Sequence, residues 1–394
     1  MNRQLRKDKL LQLFQAGVDA VGGVQATRRA LASKELQATL KSPLHLVAIG
    51  KAADAMAQGA LSTIGDKLES ALVITKHQHL SDTLKNDARF KCYESGHPVP
   101  DEHSLAAGAC LYDYVAQIPE NHQLVFLVSG GASALVEHLE GDLTLEDLRK
   151  TTDRLLASGA PIGEMNRQRR QLSLIKGGKL ASVVRCNVLQ LLISDVPGDR
   201  LGDIGSGPLV PDTDTGMSAE LPVWQSVQTH IIASSTKAQV AVCVAAKAQG
   251  LTVQQASGSL DGDVADVSDR VAETLLNAKP GVYIWGGEPT VVLPSCPGRG
   301  GRNQHLALSL ANIAAKHGHV SVLVCGTDGT DGPTADAGGL VDETSARAAA
   351  DRGLDIDRYL RRADAGSALE ALDLLVTTGP TGTNVMDLCI AIVV

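Results

Sequence analysis

Residues 326–339 read Gly-Thr-Asp-Gly-Thr-Asp-Gly-Pro-Thr-Ala-Asp-Ala-Gly-Gly. Asp328, Asp331 and Asp336 offer carboxylates there, and Thr327, Thr330 and Thr334 offer hydroxyls. The glycines let a ligand approach the backbone. An oxygen-rich loop of this kind suits a metal, a phosphate or a sugar, and a plain connection needs only two to six residues. Five other apolar runs end in turns of small residues: Gly50-Lys51, 129–133 (SGGAS), 194–199 (SDVPGD), 286–290 (GGEPT) and 379–384 (GPTGTN). Where such a turn opens onto a helix, several backbone N–H groups converge and the helix dipole adds positive potential. Anions bind there, phosphate above all.

Basic residues sit beside these turns. Lys51 is the only charge in 47–53, at the point where a strand should feed a helix. Arg299 and Arg302 lie in the glycine-rich stretch 298–304, and guanidinium forks match phosphate or carboxylate oxygens in pairs. A third basic stretch, with Arg167, Arg169, Arg170, Lys176 and Lys179, reads equally well as a solvated helix face. His97 follows a strand and either lines the site or serves the structure. Several standard devices are missing: no Walker-type G-x-x-x-x-G-K-[ST], no G-x-G-x-x-G after a strand and no G-x-S-x-G. Ser133 is therefore not a hydrolase nucleophile elbow.

These turns need elements to hold them. Apolar runs at 44–50, 71–76, 90–94, 123–128, 188–196, 251–255, 282–286, 321–325, 372–377 and 388–394 predict strands. Helical patterns over 52–64, 105–118, 145–157, 236–249, 263–278 and 303–317 alternate with them. Alternation of this kind predicts an α/β protein of two domains, each a mostly parallel sheet flanked by helices, the N-terminal one Rossmann-like. At 394 residues two cores are the default. The irregular stretch 205–221 separates the strand groups, so the domains are set at 1–230 and 231–394. Residues 1–21 read as an amphipathic helix of the fold.

Aromatic residues make up only 3% of the chain, so the cores must be aliphatic. A net charge of −8 argues against general nucleic-acid binding, and no apolar stretch reaches membrane-spanning length. Seven scattered cysteines without a C-x-x-C pair point to a reducing compartment, the cytoplasm.

The order of motifs resembles one family. Lys51 after VAIG, 94–102 (ESGHPVPDE), 129–135 (SGGASAL), 172–181 (LSLIKGGKLA), 194–208 (SDVPGDRLGDIGSGP), 286–290, 300–304 (GGRNQ), 326–339 and 378–384 occur in this order in glycerate kinases of the MOFRL type. The resemblance spans nearly the whole chain. It implies phosphorylation of D-glycerate by ATP with Mg²⁺, usually at the 2-hydroxyl. It departs at His305, where the family carries Glu, and at Arg170-Gln171, where it carries Lys-His. A histidine in place of that carboxylate would alter metal or substrate contacts.

On this resemblance Lys51 and Arg302 are the catalytic pair, holding the transferring phosphoryl group. Ser129, Gly130, Gly131 and Ser133, with His97 and Glu94, are expected at the glycerate. Gly287, Glu288, Gly301, Asn303, Asp331, Gly332, Thr334, Thr381, Gly382, Thr383 and Asn384 are expected at the nucleotide and its phosphates, and Asp195 and Asp328 at the metal. The site is expected in a cleft between domains. The partners are small molecules, glycerate and ATP, with a homodimer left open. An NAD(P)H-dependent hydroxypyruvate reductase and a non-catalytic sugar-acid or nucleotide binder stand as alternatives.

Overall fold

The structure is a computed structural model that describes residues 1–157 and 162–394. Its chain divides into two compact units, one of Gly22–Ala233 and one of Met1–Val21 together with Ser234–Val394.

The Gly22–Ala233 unit holds six strands: β1 (Leu44–Ile49), β2 (Leu68–Lys76), β3 (Phe90–Ser95), β4 (Gln123–Val128), β5 (Asn187–Ile193) and β6 (Val227–Ala233). All neighbours are parallel, in the order β3-β2-β1-β4-β5-β6. Every residue of β1 and β4 is buried, the pattern of strands covered on both faces. The helix Ala53–Ile64 packs on β1 and β2, and Glu102–Ala116 packs on β2 and β3. Asp101 starts the second helix with a capping box, its carboxylate accepting from Ser104 N at 2.9 Å. The strand order is that of doubly wound sheets. It reverses direction between β1 and β4, and ligands of such sheets bind outside the carboxyl ends of the strands at that point.

Two sequence expectations change here. β6 was not among the predicted strands, because Val-Gln-Thr-His-Ile-Ile-Ala is half-buried at a sheet edge and shows no apolar run. A boundary at 230 would cut through it; the unit ends at Ala233. Residues 1–21, assigned by sequence to the first domain, pack with the other unit. The helix Arg3–Val21 buries Leu10, Leu13, Phe14, Val18 and Val21. Its Arg6 donates to Ser321 Oγ at 2.9 Å, and a Cβ at Gly17 would meet Val242 and Leu388. The sequence carries the apolar stripe of this helix, but nothing local to it names the surface that covers the stripe.

The other unit carries β7 (Gly262–Asp263), β8 (Gly281–Gly287), β9 (Pro289–Thr290), β10 (Val320–Gly326), β11 (Gly338–Asp342), β12 (Leu375–Val376) and β13 (Asp387–Val393). Its main sheet has the order β12-β11-β10-β13-β8, with every pairing antiparallel; β7 and β9 form a separate short parallel ribbon. The expected mostly parallel second sheet is thus corrected. β8, β10 and β12 do run the same way, but β11 and β13 lie between them in the opposite sense. A strand buried on both faces reads alike whichever way its neighbours run, so burial could not reveal this. The run 251–255 supplies only a bridge, Val253 to Val282. The helix Arg302–His317 covers β10 and β11, and Val264–Leu276 packs against that helix through Val264, Val267, Val271 and Leu275. Among the described residues no helix is long and apolar enough to cross a membrane.

Candidate active site

The switch point of the first sheet is where β1 ends in Gly50-Lys51 and β4 ends in Ser129-Gly130-Gly131. The two turns are bonded to each other: Lys51 N donates to the Gly130 carbonyl at 2.9 Å, and Ala52 N donates to Ser129 Oγ at 3.0 Å. Ser129 is buried, so its hydroxyl serves the turn before any ligand. Gly50 has φ +123°, and a Cβ there would stand 2.2 Å from Ser129 Oγ. Only glycine lets the two turns close on each other.

The glycines after Ser129 make room for functional side chains. A Cβ on Gly130 would lie 1.7 Å from Asp195 Oδ2, and one on Gly131 would meet His97 Nε2 and Lys51 Cγ, each at 3.0 Å. Lys51, His97 and Asp195 therefore gather over the bare backbone of this turn. Burial, together with the charges of Lys51 and Lys76, pushes the His97 pKa down to about 4. His97 is a neutral imidazole at neutral pH. Ser133 accepts from Ser206 Oγ at 2.9 Å on the same turn. Glu94 is placed differently: one carboxylate oxygen accepts from His79 N and Leu80 N, both at 3.0 Å. Burial opposes its ionisation, yet these backbone donors hold its pKa below the usual value. The structure uses Glu94 to shape the 77–80 loop beside the site.

In the second unit Arg302 begins the helix Arg302–His317 and is held by two carboxylates. Asp387 accepts from its Nε at 2.6 Å and Nη2 at 3.2 Å, and Glu288 pairs with Nη1 at 2.8 Å. Burial opposes the charge, but Asp387 and then Glu288 hold the guanidinium pKa above its ordinary value. Asp331 caps the same helix, accepting from Asn303 N at 3.0 Å and Gln304 N at 2.7 Å. The formal N-cap is Gly301, which has no side chain; a Cβ there would stand 2.3 Å from the Asp331 carboxylate. Two of the N–H groups expected to face phosphate are thus already occupied. Burial lifts the Asp331 pKa to about 7 against those two donors.

The rest of the predicted nucleotide set divides in two. Thr334 accepts from Gln304 Nε2 at 2.7 Å and donates to the Asp331 carbonyl at 2.8 Å, while Thr381 donates to the Thr327 carbonyl at 2.6 Å. The buried Thr383 donates to the Val21 carbonyl at 2.7 Å, and Asn384 Oδ1 accepts from Met386 N at 3.3 Å. These hydroxyls and this amide bind loops together. Gly382 takes φ +71° within that loop. Asp328 Oδ1 accepts from Thr330 N and Thr330 Oγ1, both at 3.0 Å, in a local turn. Gly301 and Gly332, by contrast, line a cavity of about 350 Å³ with Arg302, His305, Val291, Leu293, Pro333 and Ala363. Gly287 and Glu288 stand at the end of β8, where Glu288 N donates to Asp261 Oδ1 at 2.9 Å.

Sequence reasoning missed Asp387, whose signal was a lone acid opening the apolar run of the last strand. It also missed the buried pair of Lys176 and Glu137, each at most 1% exposed. Burial lowers the Lys176 pKa, with Glu137 opposing.

A doubly wound sheet with a lysine and a bare glycine turn at its switch point defines an anion-handling α/β protein. The profile of a domain of unknown function, DUF4147, matches residues 9–242, and that of the MOFRL family matches residues 281–387. A D-glycerate 2-kinase of Thermotoga maritima is 37% identical over 98% of each chain. A glycerate 2-kinase of Pyrococcus horikoshii is 36% identical over 90% of this chain and 88% of its own. The crystal structure of a glycerate kinase from Thermotoga maritima superposes with a TM-score of 0.90 at 35% identity, covering 100% of both chains. The chain belongs to the glycerate kinases of the MOFRL type.

Proposed function

We propose that the protein transfers the terminal phosphoryl group of ATP to the 2-hydroxyl of D-glycerate, giving 2-phosphoglycerate and ADP. The observation that carries this reading is the gathering of Lys51, His97 and Asp195 over the Gly130-Gly131 backbone at the β1/β4 switch point. Phosphoryl transfer demands positioning and charge neutralisation rather than covalent catalysis. Lys51 supplies a cation at the phosphoryl group, and the 129–133 turn supplies backbone donors for the glycerate carboxylate. His97, neutral and a weak base, accepts a hydrogen bond from the substrate hydroxyl and orients it.

Arg302 is pre-aimed by Asp387 and Glu288, and its remaining N–H groups serve phosphate oxygens. The cavity of about 350 Å³ beside it is apolar along Val291, Leu293, Pro333 and Ala363, a size and lining that suit the base of the nucleotide. His305 lines this cavity where the family pattern has Glu, and burial lowers its pKa, so a neutral ring stands there.

A kinase implies Mg²⁺, and the donors fit that ion. Carboxylate oxygens are its proper ligands, and the Gly130 turn leaves room for the Asp195 carboxylate that any Cβ would fill. Asp195 would hold the ion. When bound, Mg²⁺ neutralises the nucleotide phosphates.

The reductase alternative needs a dinucleotide cradle, and the β1 turn is Gly50-Lys51 without G-x-G-x-x-G. All seven cysteines are free thiols, which suits a cytoplasmic enzyme. The test is phosphorus NMR of the products from ATP, Mg²⁺ and D-glycerate. We expect 2-phosphoglycerate with stoichiometric ADP. A 3-phosphoglycerate signal overturns the regiochemistry, and folded protein that forms neither overturns the activity.

A further inference from the structure

The amino ends of β1, β2 and β4, opposite the Lys51 end of the first sheet, bring together His45, Glu69 and His122. His45 Nε2 and His122 Nδ1 lie 2.9 Å apart, and Glu69 Oε2 lies 3.6 Å from His122 Nδ1. The three ligand atoms all fall within 4.8 Å of one another. Zinc bonds of about 2.0–2.1 Å in a tetrahedron place ligand atoms about 3.3 Å apart, and the two measured separations lie on either side of that value.

The surroundings match a ligand set as well. His45 is buried, and its other ring nitrogen, Nδ1, is 2.9 Å from Ser70 Oγ, which is 2.7 Å from the Tyr114 hydroxyl. Metal-ligating histidines almost always have the second ring nitrogen tied in this way, which orients the ring. When Ser70 accepts, Nε2 carries no proton and takes a hydrogen bond from His122 Nδ1 at 2.9 Å, a contact that a metal ion would replace by releasing the His122 proton. The side chain of Glu69 is 55% exposed, so the cluster is within reach of solvent.

We propose that His45, Glu69 and His122 form a binding site for a divalent transition-metal ion of the Zn²⁺ class, which pins the amino ends of β1, β2 and β4. Two imidazoles and one carboxylate favour such an ion over Mg²⁺. The site is separate from the kinase residues and does not rest on the proposed activity.

Chelator-treated wild-type protein is titrated with Co²⁺ under visible absorption, and Zn²⁺ is then added to displace it. One equivalent of Co²⁺ should bind with d–d bands and no thiolate charge-transfer band, which separates this site from the cysteines. Glu69→Gln and His122→Ala change partly exposed positions and should keep the wild-type circular dichroism. His122→Ala should weaken Co²⁺ at least ~100-fold, and Ser70→Ala, which removes the outer partner of His45, ~10-fold or more. Zn²⁺ should raise the Tm of the wild type but not of His122→Ala. The proposal is overturned if the chelated wild type takes up no stoichiometric Co²⁺ or Zn²⁺. It is equally overturned if folded His122→Ala binds as tightly as wild type, or if a thiolate band accompanies binding.

Discussion

Gly130→Ala separates the chemistry of the Lys51 turn from its stability. The backbone of Gly130 lies outside the left-handed region, so alanine is conformationally allowed there. Its Cβ would stand 1.7 Å from Asp195 Oδ2 and 2.4 Å from Asp195 Cγ, where ordinary contact begins at 3.4 Å. The intruded atoms are the far end of a half-buried side chain, so the carboxylate can swing away while the backbone stays. It must retreat by about 1.7 Å, and a misplacement of even ~1 Å at a reacting centre costs ~100-fold. We expect kcat to fall ~100-fold or more in a coupled ADP-release assay. The unfolding free energy from urea titration should change by less than ~1 kcal/mol, as for a substitution met by a side chain that can move. Asp195→Ala should show a loss of similar size. If Gly130→Ala keeps kcat within about threefold of wild type, Asp195 is not at the reacting centre. If stability instead drops by more than ~2 kcal/mol, the backbone yields rather than the side chain, and the steric argument fails.

Lys51→Ala should lower kcat by orders of magnitude with an unchanged melting curve; near-normal turnover removes Lys51 from the mechanism. Replacing Lys176 by Met leaves the Glu137 carboxylate buried without its partner and should cost about 3–5 kcal/mol, with much of it recovered in the Lys176→Met/Glu137→Leu double variant. A loss below ~1 kcal/mol in the single variant contradicts the buried-pair reading. With its pKa near 4, His97 should contribute no limb to the kcat/KM profile between pH 5.5 and 8. An inflection near 6.5 that disappears in His97→Asn argues the reverse. Asp331 keeps its proton in the native state up to about pH 7 but loses it near 3.8 when unfolded. Its contribution to stability is therefore full below pH ~4 and is lost as pH rises through 7. The stability of the wild type relative to Asp331→Asn should fall by up to about 4 kcal/mol between pH 4 and 8, by linkage at about 1.4 kcal/mol per pH unit. A flat difference in denaturant titrations excludes a raised pKa at Asp331.

Part of the candidate site is legible in the sequence. Lys51, the 129–133 turn and Asp195 could be picked out because each follows a continuous apolar run, and a helix-linked parallel sheet sends all such runs to one edge. Their meeting over Gly130 and Gly131 follows from that shared direction. Asp331 and Thr383 were harder. Their oxygens are polar, close to glycines and in a loop, as a ligand-binding oxygen would be; that one caps a helix and the other bonds Val21 depends on a helix 27 residues earlier and on the end of the first helix, 362 residues away.

By itself the sequence determined local quantities: which runs are buried strands, which stripes are amphipathic helices, where turns need glycine, and the motif order that marks the family. These depend on neighbours a few residues apart, so composition and period carry them. Only the tertiary structure decided that the first helix packs with Ser234–Val394, that the second sheet is antiparallel, and that Asp387 holds Arg302 across 85 residues of chain. Direction and pairing in a sheet buried on both faces leave no mark on hydrophobic pattern, because a buried valine is equally apolar whichever strand runs beside it. The same holds for His45, Glu69 and His122, which are unremarkable residues along the chain. They become a set of ligands only where β1, β2 and β4 begin side by side.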